Sequence, residues 1–163
     1  MDTIKKLESE IIDASNGLPD EIFYFISKLT PLVNVDLLIQ NNIKETLLAW
    51  REDPIAGNGW HIPGGIIRFK ETFSERIKKV AKLEIGEHNI EFEKQPLEIN
   101  QVIRKNGNTR GHFISILYRC KLSENFKIDN KALYENDPGY LKWHNSCPKE
   151  FLPLQHDIYS QYL

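Results

Sequence analysis

Apolar residues recur at helical spacing from the start of the chain. Ile4, Leu7, Ile11 and Ile12 alternate with lysines and glutamates, a pattern that predicts an amphipathic helix over residues 2–15. Asn16 and Gly17 end it, and Pro19, Asp20 and Glu21 form the expected first turn of a second helix through Ile22, Phe23, Phe25 and Ile26, closed by Pro31. Residues 32–40 and 46–51 are β-rich runs separated by Asn41, Asn42, Ile43 and Lys44, which predicts a hairpin. A loop containing Pro54, Gly57, Gly59, Pro63, Gly64 and Gly65 leads to a third helix over residues 72–85, with Gly86 as its C-cap. Residues 98–105 and 112–122 read as strands joined through Asn106, Gly107 and Asn108. A polar loop over residues 123–139, a short strand over 140–144 and a last helix near 148–162 complete the chain. Strands interleaved with helices predict one mixed α/β domain.

The third helix and the loop before it hold the candidate chemistry. Four of the nine glycines lie between positions 57 and 65. Glycine allows a backbone to approach a ligand closely, and the same cluster would serve a tight strand-to-helix loop. At about 100° per residue, Phe73, Ile77, Val80 and Ala81 form one apolar stripe with Glu84 in its middle. A carboxylate on the core side is costly unless it is paired or bound to a metal. Thr72 and Glu75 have capping-box spacing, so Glu75 is expected to start the helix and nothing more. Lys78 and Lys82 fall on the outer face, and Glu71 either faces a cation or favours the positive helix end.

Composition narrows the function classes. The 163 residues suit one domain with a real core. Lysine plus arginine number 21 against 23 acidic residues, a net charge of -2, which excludes nucleic-acid binding through a broad basic surface and still allows a local basic pocket. Cys120 and Cys147 make neither a disulfide framework nor a zinc pattern, so a reducing, cytoplasmic setting is expected. No apolar run approaches the roughly 18 residues of a membrane span, and the first residues are too mixed in charge for a signal peptide, so no membrane partner is expected.

Gly65, Glu71, Lys79, Glu84 and Gly86 stand in the frame of the Nudix box: a glycine, five residues, a glutamate, seven residues, a basic position, and a glutamate-ended helix with a glycine. Here the chain resembles the Nudix hydrolases. The resemblance implies an α/β/α sandwich with a mixed β-sheet over residues 19–163, and residues 1–18 as an extra N-terminal helical extension. The contents of the frame depart from the usual pattern. An ordinary Nudix pyrophosphatase has arginine, glutamate, an aliphatic, any residue and two glutamates, whereas this chain reads Lys79, Val80, Ala81, Lys82, Leu83, Glu84. The GDP-mannose mannosyl hydrolases lose the same two glutamates. The segments TPLVNVDLLIQNN, LLAWRED, GNGWHIPGG and GHFISILYR are similar to strands and loops of that subgroup, over roughly residues 22–143.

That resemblance implies a hydrolase that releases GDP and free sugar from a nucleotide sugar, by water attack at the anomeric carbon assisted by magnesium or manganese. Phosphorus chemistry gathers several ions with clustered glutamates. A diphosphate leaving group needs only one divalent ion and some arginines. Carried over by position, the metal shell is the Gly64 carbonyl, Glu84 and Asp137, the last from the loop before Trp143. Asp36 matches a substrate-contacting aspartate, or is a polar residue on a solvent face. Arg51 matches an arginine that bears the diphosphate, a bidentate task that suits a guanidinium. His112 matches a histidine that reaches the site from the central strand, and Lys79, a further candidate for facing the diphosphate, stands where the family has arginine. Ile66 replaces another phosphate-facing arginine, for which Arg68 is the candidate substitute. Pro138 stands where the subgroup has its basic histidine, so Asp137, His144 or His112 become the candidate bases, with His61 and His156 behind them. A homodimer is expected by resemblance. Two rival readings are a Nudix pyrophosphatase acting at phosphorus on another nucleotide derivative, and a catalytically weak nucleotide-sugar binding protein.

Overall fold

A computed structural model describes residues 2–163. Two strands organise it. β1 (Leu32–Ile39) lies between β4 (Gly64–Ile66), antiparallel to it, and β7 (His112–Lys121), parallel to it. The far edge of β7 pairs antiparallel with β5 (Glu91–Phe92) and β6 (Glu98–Ile103). A second, antiparallel sheet places β2 (Thr46–Asp53) between β3 (Gly57–His61) and β8 (Leu141–His144).

Strand alternation sends successive side chains to opposite faces. From β1, Val35, Leu37 and Ile39 pack with Ile77, Val80, Ala81 and Ile85 of the third helical segment, while Leu38 packs with Leu48, Trp50, Trp60 and Tyr159 on the other side. The sheets therefore lie between helix α3 (Phe73–Val80) and helix α4 (Pro153–Tyr159), an α/β/α sandwich with a mixed sheet. Burial of each large aliphatic side chain contributes roughly 1.5–3 kcal/mol. Ile77 and Leu37, with no exposure at all, are at the upper end.

Helix α3 begins and ends as its sequence predicts. Thr72 accepts the Glu75 N–H at 3.2 Å, and Glu75 accepts the Thr72 N–H at 2.8 Å, which completes the capping box. Gly86 ends the segment with φ 78, a left-handed C-cap that suits glycine. Between them, Ala81–Ile85 forms a π-helical turn. Phe73 is exposed rather than buried with the stripe: it sits at the first helical position, where its ring lies against Tyr118 of β7 with a face still open.

Four further expectations are corrected. The runs over 32–40 and 46–51 do not pair along their length as a hairpin: β1 and β2 belong to different sheets, although Gln40 bridges Thr46 and the Asn41 N–H donates to the Glu45 carbonyl across the turn. The glycine-rich loop contains two strands, β3 and β4. The first helix, α1 (Thr3–Glu10), is shorter than predicted and buries no residue; a 3-10 turn, Ala14–Asn16, follows before α2 (Asp20–Ile26). The last helix starts at Pro153, because Phe151 is held in a bridge with Trp60. Among the described residues no helix is long and apolar enough to cross a membrane, and both cysteines are free.

Candidate functional site

On the α4 side of β1 a cavity of about 310 Å³ opens between the sheets and the start of α3. Strand parity fixes its floor. Asp36 alternates with Val35 and Leu37, so it faces away from α3 into this cavity, where the Tyr159 hydroxyl donates to Oδ2 at 2.7 Å. Asp36 is buried, not on a solvent face. Burial pushes its carboxyl up to about 6, against hydrogen bonds from Tyr159 and Asn34 that act downward. Burial and the neighbouring Asp36 carboxylate raise Tyr159 in turn. Gly64 packs against Asp36 across the β1–β4 pair. A Cβ there would overlap the Asp36 carboxylate and meet the Val35 carbonyl at 2.9 Å, so only glycine fits.

Four guanidinium groups line the same cavity: Arg51, Arg68, Arg76 and Arg110. Arg51 comes from β2 and Arg68 from the segment after β4. Arg68 packs on the N-terminal segment, where a Cβ at Gly17 would lie 3.4 Å from its Cζ. Arg76, on the first turns of α3, places Nε 2.7 Å and a terminal nitrogen 2.6 Å from Glu71. Arg110 pairs with Asp53 at 2.9 Å and leaves its Nε without a partner. Arg76 was not singled out by sequence, although its signal was there: it precedes Val80 and Glu84 at helical spacing and continues the buried stripe. Arg110 comes from a loop and carried no such signal.

Glu71 is paired with cationic side chains of the chain itself. Its side chain is 4% exposed and is held by Arg76, by Lys79 at 3.0 Å and by the Arg68 N–H at 2.9 Å. Burial acts to raise its carboxyl, but these donors together hold it below its ordinary value. Lys79 is thereby committed to Glu71 and does not line the cavity, which corrects its expected phosphate-facing position.

Glu84 stands at the boundary between this cavity and a second one of about 520 Å³, bordered by Leu83, Asp129, Leu133 and Pro138. Its side chain is 28% exposed, so it does not lie within the core stripe. An i→i+5 turn departs from the α-helical register, and such turns recur at functional sites. The Gly64 N–H donates to Oε2 at 3.3 Å, Arg51 approaches Oε1 at 4.0 Å, and His61 Nε2 lies 3.4 Å from Oε2. His61 Nδ1 is 2.8 Å from the Ala49 carbonyl, which can only accept, so Nδ1 carries the proton there. His61 Nε2 is buried and makes no hydrogen bond.

Among the described residues no group of three or more histidine, cysteine or acidic side chains could hold a metal. The donor set is therefore sparse: the Glu84 carboxylate, the orphaned His61 nitrogen and nearby backbone. A sparse set fits a hard divalent ion that keeps several waters and takes oxygens from a substrate phosphate.

The other expected residues lie elsewhere. His112, at the first position of β7, borders a separate cavity with Ser27 and Gly107, and its Nε2 is 3.0 Å from the Gln101 amide nitrogen. Phe113 and Ser115 line the arginine-lined cavity, so strand alternation turns His112 to the opposite face. Asp137 closes a turn, its carboxylate accepting the Tyr134 N–H at 2.7 Å, and its neighbours Pro138 and Gly139 border the second cavity in its place. His144 packs edge-on against Trp60 at 4.5 Å, and His156 is exposed beside Asp157. Ile66 lines the cavity beside Arg68.

No family model matches the chain. The low-salt glycan biosynthesis protein Agl8 of Haloferax volcanii is 36% identical over 69 residues, which are 42% of this chain and 44% of that protein, so the match spans under half of that relative's length. Among solved structures, the chain is similar to the MutT Nudix hydrolase of Burkholderia pseudomallei, with a TM-score of 0.58, 19% identity, and 76% of this chain and 92% of the other covered. The MutT protein of Methanosarcina mazei Go1 gives 0.56 and 19%, covering 82% and 94%. The Nudix domain of Shewanella oneidensis NrtR, solved with ADP-ribose, gives 0.56 and 16%, covering 82% and 86%.

Proposed function

We propose that this chain, which has the Nudix fold, is a hydrolase of nucleoside diphosphate sugars that acts at the anomeric carbon with a divalent ion and releases free sugar and a nucleoside diphosphate. One observation carries the reading. Four arginines converge on a cavity that holds two carboxylates, Asp36 and Glu84, while the other two Nudix glutamate positions hold a buried Val80 and an exposed Leu83. A site with one carboxylate on the helix suits charge neutralisation of a departing diphosphate better than assembly of several ions around phosphorus. The similarity to a glycan biosynthesis protein agrees with a sugar nucleotide as substrate.

In this reading Arg51, Arg68, Arg76 and Arg110 bind and orient the diphosphate. Glu84, with the Gly64 backbone beside it, would hold magnesium or manganese, which when bound neutralises charge building on the diphosphate. Asp36 accepts the proton of the attacking water. It is the carboxylate fully inside the cavity, and its raised proton affinity suits a base near neutral pH. The new bond joins the water oxygen to the anomeric carbon, and the bond from that carbon to the phosphate oxygen breaks with its electron pair on the diphosphate. Asp36 thus takes the role that Asp137 or His112 held by sequence position. The test is incubation with a panel of nucleotide sugars plus magnesium. Free sugar and nucleoside diphosphate are expected; sugar phosphate and nucleoside monophosphate would replace this reading by attack at phosphorus. Tight binding without turnover would favour the binding-protein reading, for which Pro138 and Ile66 are the supporting residues.

A further inference from the structure

We propose that His61 is a direct imidazole ligand of the ion held at Glu84, and that it shifts the preference of this site from magnesium toward borderline ions such as cobalt(II) and nickel(II). The inference rests on the reading of Glu84 as a metal-binding carboxylate and goes beyond it in naming a nitrogen ligand.

Three observations carry it. First, the tautomer is fixed from behind. β3 pairs with β2 so that His61 lies opposite Ala49, and the Nδ1–H donates to the Ala49 carbonyl at 2.8 Å. The Nε2 lone pair then points the other way. A ligating histidine ordinarily has this arrangement, its second nitrogen bound to a carbonyl or carboxylate that orients the ring. Second, that Nε2 makes no hydrogen bond although the side chain is only 6% exposed. A buried polar atom left without a hydrogen bond costs about 1–3 kcal/mol. A ligand on Nε2 removes that cost. Third, Nε2 lies 3.4 Å from Glu84 Oε2. A charge-assisted N–H···O bond would close to roughly 2.7–2.9 Å, so no such hydrogen bond joins the two groups, although they stand within ion-pair distance. Two donors each about 2.1 Å from a shared ion, at tetrahedral or octahedral angles, stand roughly 3.0–3.4 Å apart. The separation suits two ligands on one ion. Both cavities border His61 and Glu84, which leaves room for water and substrate oxygens in the remaining positions. Imidazole suits nickel, copper, iron and zinc, whereas magnesium takes oxygen.

The test is calorimetric titration of the full chain with cobalt(II) chloride and with magnesium chloride, for the wild type, His61→Gln and His61→Phe. Wild type is expected to bind cobalt at least about tenfold tighter than magnesium, and both variants to lose at least about tenfold in cobalt affinity, with magnesium changed less than about twofold. Because His61 is buried, the decisive readout is also taken on the wild type: cobalt should produce a hyperfine-shifted imidazole N–H proton, slow to exchange behind Ala49. Unchanged cobalt affinity in folded variants, absence of that proton, or no cobalt binding by the wild type each overturns the inference. Product formation with magnesium, measured separately, decides the function proposed above whatever the cobalt result.

Discussion

Replacing Asp36 by asparagine should make the protein more stable and remove its activity. The carboxyl has its proton affinity raised from 3.8 to about 6 by burial. At about 1.4 kcal/mol per tenfold change, that gap corresponds to about 3 kcal/mol of folding free energy lost to keeping Asp36 ionised. The sign follows from linkage. A group with a raised native value stabilises the fold fully below its unfolded value of 3.8, and that contribution disappears as pH rises through 6. Asparagine has no such dependence, so its advantage should grow with pH and level off above about pH 7. The neutral amide can keep the network: its oxygen accepts from Tyr159, and its nitrogen meets Asn34, whose Oδ1 has no partner and can turn to receive it. An imperfect fit reduces the gain, so about 1–3 kcal/mol is expected near pH 8, or a rise of roughly 2–12 °C in Tm. Urea denaturation of both proteins at about pH 4.5 and about pH 8 measures it, and the difference should widen by about 1–2 kcal/mol between them. Other titrating carboxylates are common to both proteins and cancel. A variant less stable than wild type near pH 8, or a difference that does not change with pH, would refute the assignment of a buried, ionised Asp36. Retention of full turnover would refute its role as base.

Tyr159→Phe removes the hydroxyl that donates to Asp36 and should cost about 1.5–3 kcal/mol in denaturant unfolding near neutral pH. Arg76→Ala leaves Glu71 buried with only Lys79 and a backbone N–H, and a loss of roughly 3 kcal/mol is expected by thermal or urea unfolding. In the wild type the stabilisation from Glu71, whose carboxyl is held below 4.5, is present above that pH and is lost as pH falls further, which acid titration of stability would show. Glu84→Gln, at a partly exposed position, should unfold within about 1 kcal/mol of wild type while magnesium-dependent turnover falls at least about a hundredfold, read by steady-state kinetics across magnesium concentrations.

Local signals carried the parts of the fold that depend on neighbours in sequence. Thr72, Glu75 and Gly86 bounded the third helical segment correctly, because a capping box and a left-handed cap are made within a few residues. The hairpin reading of residues 32–51 failed for the opposite reason. Leu37, Leu38 and Ile39, like Leu47, Leu48 and Ala49, are buried on both faces, and such runs do not reveal their partners; β1 joined the distant β7 and β2 joined β8. The site divides in the same way. Asp36, Arg51, Arg68, Gly64 and Glu84 were singled out from the sequence, and they line one cavity. The pairings of Arg76 with Glu71, Arg110 with Asp53 and Tyr159 with Asp36, and the approach of His61 to Glu84, were not. Each of those depends on tertiary placement, and the last also depends on a π-turn that sequence periodicity reads as ordinary helix.

The central claim is that water attacks carbon. Hydrolysis of a nucleotide sugar in water enriched in oxygen-18, with mass analysis of both products, tests it directly. The account predicts the label in the free sugar, none in the nucleoside diphosphate, and loss of both products in Asp36→Asn. Label in a phosphate group, with sugar phosphate and nucleoside monophosphate as products, would contradict it.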